Sequence, residues 1–159
     1  MPEPLRDQAL DKLVETLQGL TGARSWGGAY PTLPRVSRVY QPIETVQEFP
    51  HLIVVEASGS RLRLSTTAGG DAGFEDTFRV VVYGYVLGDD VTSRSRWIQR
   101  LQLDVIETLL KKQTLGGLIR GLVPEEDLTD EGVLEEIRSG LGLFGQFFTV
   151  VIDQTFAVE

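Results

Sequence analysis

The sequence predicts an α+β domain: a mostly antiparallel sheet of four to five strands with two main helices packed on one face. Three observations predict it. FRVVVYGYVLG (78–88) is a strand signal that is apolar on both alternating faces. Two segments, near 5–20 and 89–112, carry apolar residues at three- and four-residue spacing. The order is helix, strand, strand, possible hairpin, long strand, helix, acidic excursion, strand. Two amphipathic helices can then cover one face of a single sheet.

The first helix rests on Leu10, Leu13, Val14, Leu17 and Leu20, which form one stripe. Asp7 and Asp11 sit near its positive end, and Gly19 and Gly22 mark its stop. GARSWGGAYPTLPR (22–35) is broken by glycines and prolines and predicts a loop, with Trp26 and Tyr30 as anchors or partner contacts. VSRVY (36–40) predicts a short strand. HLIVVEA (51–57) predicts another, with His51 as an edge histidine, partly exposed. RLRLS (61–65) alternates like a further strand, and SGSRLRLSTTAGGDAG (58–73) predicts an arm or long hairpin leaving the body, because so many polar and glycine residues need a use in a short chain.

The 78–88 strand should be central. Phe78, Val80, Val82, Gly84 and Val86 share one face; Arg79, Val81, Tyr83, Tyr85 and Leu87 share the other. Gly84 marks a bulge or a close approach by a helix. Asp89 and Asp90 belong to the turn into the second helix, where acids are expected on turn grounds alone. Thr92 or Ser93 caps that helix, Ile98, Leu101, Val105 and Leu109 form its stripe, and Trp97 and Ile106 widen it. TLGGLIRG (114–121) reads as a short helix weakened by glycine. Residues 123–140 read as an acidic surface excursion, with either one helical turn or a strand in it. The final strand, LFGQFFTVVIDQTFAV (143–158), turns Phe148, Val150, Ile152 and Phe156 one way and Phe147 and Val151 the other. Val81, Tyr83, Phe147 and Val151 then lack a cover, which predicts folded-over loops or another subunit on the second face.

Composition narrows the function. The chain has 159 residues, enough for one domain. It has no cysteine and one histidine, which excludes thiol chemistry and disfavours a zinc site. No apolar run reaches bilayer length, so no membrane role is expected. MPEPLRDQALDKL has acids where a signal peptide is basic, so the chain is expected to stay where it is made. The net charge is -8. Residues 1–120 carry 14 basic and 14 acidic groups, and residues 121–159 carry one basic and nine acidic. That balance argues against general or sequence-specific nucleic-acid binding. An enzyme would need Asp89, Asp90 or Asp104 to converge with His51, and local sequence offers no such design. No catalytic, cofactor or metal residue is expected.

The chain resembles the tail terminator, or tail completion, proteins of long-tailed bacteriophages, within the broader group of head-tail connection proteins. The resemblance runs over nearly the whole chain. It is carried by the helix RDQALDKLVETLQGL (6–20), Arg38-Val39-Tyr40, FPHLIVVE (49–56), FRVVVYGYV (78–86), LQLDVIETLL (101–110), TLGGLIRGL (114–122) and FFTVVIDQTF (147–156). Pro50-x-Leu52-Ile53-Val54 and Asp104-Val105 match a loose pattern of that group. The resemblance implies a ring, commonly a hexamer, seated on the last ring of the tail tube. Such a ring stops tube growth and offers a docking surface to the head connector. It implies the virion tail as location, with the host cytoplasm during assembly, and the chain itself, the tail tube protein and the connector as partners. DNA passes through the pore of such a ring, and acidic lining would weaken phosphate adhesion. Arg61, Arg63, Tyr83, Tyr85, Phe147 and Val151 are the candidate interface. Glu125, Glu126, Asp127 and Glu131 are the candidate lumen-facing acids. Arg61 and Arg63 could meet those acids on a neighbouring subunit, or equally be ordinary exposed strand residues. The segments 58–73 and 125–136 depart from a minimal version of the family. The competing reading is a small non-enzymatic adaptor, or a neighbouring head-tail joining protein, using the same apolar face for one partner.

Overall fold

A computed structural model of the chain describes residues 4–20, 35–39, 41–42, 45–66, 72–87, 91–130 and 140–156. Among them are α1 (Leu5–Gln18), β1 (Arg35–Ser37), β2 (His51–Thr66), β3 (Ala72–Leu87), α2 (Val91–Lys111), β4 (Gly121–Asp130) and β5 (Leu141–Phe156). The strands form one sheet in the order β1-β2-β3-β5-β4. β1 pairs parallel with β2, and every other pairing is antiparallel. The fold is therefore α+β with a mixed, mostly antiparallel sheet. The longest apolar strand, β3, sits at its centre.

Both helices pack on one face of that sheet. From α1 come Ala9, Leu10, Leu13 and Leu17, and from α2 Ile98, Leu101, Val105 and Leu109. They meet Leu52 and Val54 of β2, Phe78, Val80, Val82 and Val86 of β3, and Phe144, Phe148, Val150 and Ile152 of β5. The helical stripes and the even-numbered positions of β3 and β5 are thus two halves of one core. Each such side chain removed from water contributes about 1.5–3 kcal/mol. Trp97 and Ile106 flank the core half-buried, as the broad α2 stripe predicts.

Polar ties fix the helices at the margins. Arg6 of α1 donates to Asp76 at 2.6 Å and to Glu56 at 2.5 Å, with its guanidinium 4.6 Å from the centre of the Phe78 ring. Arg38 leaves β1 and donates to Asp11 at 2.7 Å and Asp7 at 3.3 Å. The expected strand at 36–40 is therefore shorter, because Arg38 turns to the helix. α1 stops at Gly19, whose N–H bonds back to the Thr16 carbonyl at 3.2 Å.

Gly84 answers to a neighbour other than those expected. Its register with Phe144 and Leu52 is unbroken, so no bulge lies there. A Cβ at Gly84 would lie 2.1 Å from the Phe144 ring, which crosses the vacant position from the adjacent strand. The helix approach occurs at Gly142 instead, where a Cβ would meet Ile98 of α2 at 2.5 Å. The segment TLGGLIRG is a turn and not a helix. Leu115, Gly116 and Gly117 all have positive φ (49°, 74° and 90°), which no α-helix accepts. Leu115 and Ile119 nonetheless drop into the core from this turn.

Residues 58–66 do not leave the sheet. The β2–β3 register shifts between Ala57 and Arg61, then continues to Thr66↔Ala72. β5 follows β3 to Phe156↔Ala72. The arm is thus a three-stranded extension of the sheet. The acidic segment 123–130 forms most of β4, the outermost strand on its side among the described residues. Trp26, Tyr30, Tyr40, Asp89, Asp90 and Glu131 lie outside the described residues, and the side chains of Thr92, Ser93 and Phe156 are likewise not described.

The Gly84–Phe144 contact predicts a specific failure. Gly84→Ala should lower the unfolding free energy by about 1–3 kcal/mol, because the ring must leave its rotamer. Combined with Phe144→Leu, the loss should fall short of the sum of the two single losses. Urea unfolding of the four proteins measures both quantities.

Candidate subunit interface

The second face of the sheet carries the odd-numbered residues of β3 and β5 and their cross-strand partners. One end of it is covered by the chain itself. Val46 and Phe49, from the segment before β2, pack on Ile53, Tyr85 and Leu141. A cis peptide bond joins Phe49 to Pro50, and the Pro50 carbonyl accepts from the Arg35 N–H at 3.0 Å. Tyr85 is only 5% exposed beneath this segment. It is therefore not an interface residue: the 45–50 segment occupies the place a partner would take.

His51 is corrected by the same segment. It faces Tyr85 across β2 and β3, with ring centres 6.5 Å apart, and is 2% exposed, so it is not a half-exposed edge residue. Its Nε2 lies 3.4 Å from the Ser37 hydroxyl. Burial first, and the Arg35 charge second, hold its pKa below the ordinary value near 6.5, while Glu48 opposes them. Arg35, Gln41, Thr45, Gln47, Glu48 and His51 line a shallow open cleft. Arg35 and Glu48 are already paired there at 2.7 Å. Asp104, the helical acid considered with His51, is instead buried on α2, the helix that packs against the opposite face of the sheet. Among the described residues no group of three His, Cys, Asp or Glu side chains could hold a metal.

Beyond the covered end the face is only half closed. Val55, Val81 and Phe147 form one row across β2, β3 and β5. Val81 is buried between its neighbours, whereas Val55, Phe147, Tyr83 and Val151 are half-buried. Val123 of β4, opposite Thr149, is 55% exposed. The guanidinium of Arg79 lies 4.6 Å from the Phe147 ring centre and shields part of that ring.

A bulge in β4 decides where the acids go. Pro124 opposes Phe148 and Asp127 opposes Gln146, so Glu125 and Glu126 together oppose Phe147. The extra residue turns both glutamates toward the second face. Arg79 Nη2 donates to Glu126 at 2.9 Å, Arg79 Nε lies 3.5 Å from Glu125, and the Thr149 hydroxyl donates to Glu125. Past the bulge the alternation is inverted. Asp127 therefore lies on the helix face and accepts from Gln102 of α2 at 2.7 Å. Asp127 is thus wrongly grouped with the lumen-facing acids. Buried Gln146 holds the bulge from below, donating to the Glu125 carbonyl at 3.0 Å and accepting from Gln102 at 3.1 Å.

A charged row crosses the arm. Arg63 opposes Glu75, which opposes Asp153. The two facing acids are bridged by Arg120, at 2.6 Å to each. Arg61 opposes Thr77, and both Arg61 and Arg63 are exposed. The structure therefore brings Arg61, Arg63, Tyr83, Phe147, Val151, Glu125 and Glu126 to one face. Arg79 and Arg120, which organise that face, were not singled out from sequence. Arg79 at least carries a signal: it alternates with Val81 and Tyr83 on a strand too apolar to expose a charge without purpose.

No protein-family model matches the sequence, and no curated protein matches it.

Burial of the single histidine predicts a pH dependence. The unfolded chain protonates His51 near 6.5 and the folded chain only at lower pH. Stability should therefore be constant above that value and fall as the pH drops through it, by at most about 1.4 kcal/mol per pH unit. The loss should stop below the folded pKa. Melting temperatures between about pH 7.5 and 5.5 should show this slope in the native protein and a flat line in His51→Gln.

Proposed function

We propose that this protein is a structural subunit of a long-tailed phage virion. In this reading it forms a ring, a hexamer by resemblance, that caps the tail tube, ends its growth and presents a docking surface to the head connector. One observation carries the reading. A sheet whose first face is buried where the two helices pack on it keeps a second face on which Val55, Tyr83, Phe147 and Val151 are half-buried and Val123 is exposed. Such a continuous apolar surface with a charged rim suits a protein partner.

The order of elements that carries the family resemblance supports the same reading. So does the charge. The acidic excess sits in residues 121–159. A pore bordered by such residues repels phosphate and lets DNA slide. The role asks for no catalytic group, cofactor or metal.

Light scattering after size exclusion should give one defined oligomer, and electron microscopy should show closed rings. A monomer at the highest soluble concentration would sink the reading, and a monomer that captures one unrelated protein would favour an adaptor. Tyr83→Asp should dissociate the oligomer while moving the melting temperature by only a few degrees, since Tyr83 is already half in water. Retention of the native mass would show that the open face is not the interface.

A further inference from the structure

The two lateral edges of the sheet differ in charge, in ladder and in position. At one edge β2 pairs with β1 only through Ile53, so among the described residues no strand lies outside its arm portion. That portion, residues 58–66, has two arginines and no acid. Among the described residues no acid pairs with Arg61 or Arg63. At the opposite edge, β4 has Glu125, Glu126, Asp127 and Asp130 and no base. Among the described residues Glu125 and Glu126 share a single cation, Arg79, so that pair keeps a surplus negative charge.

The basic and acidic edges cannot meet within one chain. Arg61, Thr77, Val151 and Gly121 form a single row across β2, β3, β5 and β4. Three strand spacings separate the ends of that row by about 14 Å, and Glu125 lies a further four residues, about 13 Å, along β4. No arginine spans that gap. Between chains the geometry is favourable. Cross-strand partners share a face, so Arg61 and Arg63 point to the same side as Arg79 and its two glutamates. Three successive antiparallel pairings make β4 run opposite to β2, so an arm laid beside β4 in the same sheet sense is antiparallel to it.

We infer that the subunits join head to tail, the basic β2 arm of one copy docking on the acidic β4 edge of the next through Arg61 and Arg63 against Glu125 and Glu126. This rests on the ring reading and specifies its joint. Donor and acceptor sit on opposite edges, so the contact is heterologous and repeats until a ring closes. Pro124 and the bulge deny β4 a continuous outer ladder, so charged side chains, and not a shared sheet, make the contact.

The absence of cysteine makes the test clean. Arg61→Cys and Glu126→Cys change exposed positions, and each variant should melt like the native protein. Under mild oxidation neither variant alone should cross-link, their mixture should give a dimer, and the double variant should give a ladder ending at the ring number. Arg61→Glu with Arg63→Glu should weaken association about tenfold or more, as expected for the loss and reversal of two exposed pairs. Raising salt from about 0.1 M to about 1 M, which cuts the screening length from about 10 Å to about 3 Å, should weaken the native assembly likewise. Oligomers that form without these cross-links would overturn the joint and leave the ring standing. Self-linking of either single variant would show a two-fold contact and overturn it too. A monomer would overturn both.

Discussion

Coverage of the sheet constrains everything else in this molecule. The five described strands, spaced about 4.8 Å apart, span roughly 20 Å. Two helices packed side by side, 8–10 Å apart, cover one such face and no more. Placing one helix on each face would leave both cores half-open. With α1 and α2 together, the even positions 76–86 of β3 and 142–152 of β5 reach full burial. The odd positions are left to whatever else the chain can bring. Val46 and Phe49 close one end, and the arginines of β3 and the 112–120 turn partly screen the rest.

That screening has a particular chemistry. Arg79 lies flat on Phe147 and holds two glutamates beyond it, so an aromatic ring that would face water is roofed by an ion cluster. Arg120 does the same for two acids that would otherwise face each other across β3 and β5. Partly exposed ion pairs add little to stability, typically under about 1 kcal/mol each. Their consequence is for the surface. They keep an apolar face hydrated enough for a free subunit, while leaving Val123, Val151 and Tyr83 within reach of a partner. The β4 bulge makes this possible, since regular alternation would send Glu125 and Glu126 to opposite faces.

Periodic features were legible in the sequence because their cause is local. The helix stripes and the central strand follow from spacing alone, and both found their places. β4 was legible only as an acidic excursion holding either a helical turn or a strand. Glu, Asp and Pro have poor strand propensity, and the strand exists because β5 supplies a partner. Asp127 was assigned to the wrong face because one extra residue upstream inverts alternation, and no local signal counts that residue. Tyr83 and Tyr85 are alike in type, face and strand. Only the position of residues 45–50, more than 30 positions away in sequence, makes one buried and the other half-open. His51 was misjudged because pairing brings β1 and Tyr85 against it, which its own neighbourhood in sequence does not show.

The interplay of the half-covered face and the charged edges bears on how a proposed ring would be controlled. Apolar contact alone would drive association at any salt and in any register that hides the surface. Charge on the rim adds orientation, because like-charged edges repel and only the basic-to-acidic arrangement is attractive. Pro124 and the bulge work in the same direction by preventing β4 from recruiting arbitrary strands. In the proposed ring each joint would be weak, and closure would gain from every joint at once. A surface that already holds one subunit raises the effective concentration of the next. On this physics assembly is strongest where a template, such as the end of a tail tube, presents the first docking position. The same features that leave the second face unfinished in the single chain would then tie completion of that face to completion of the ring.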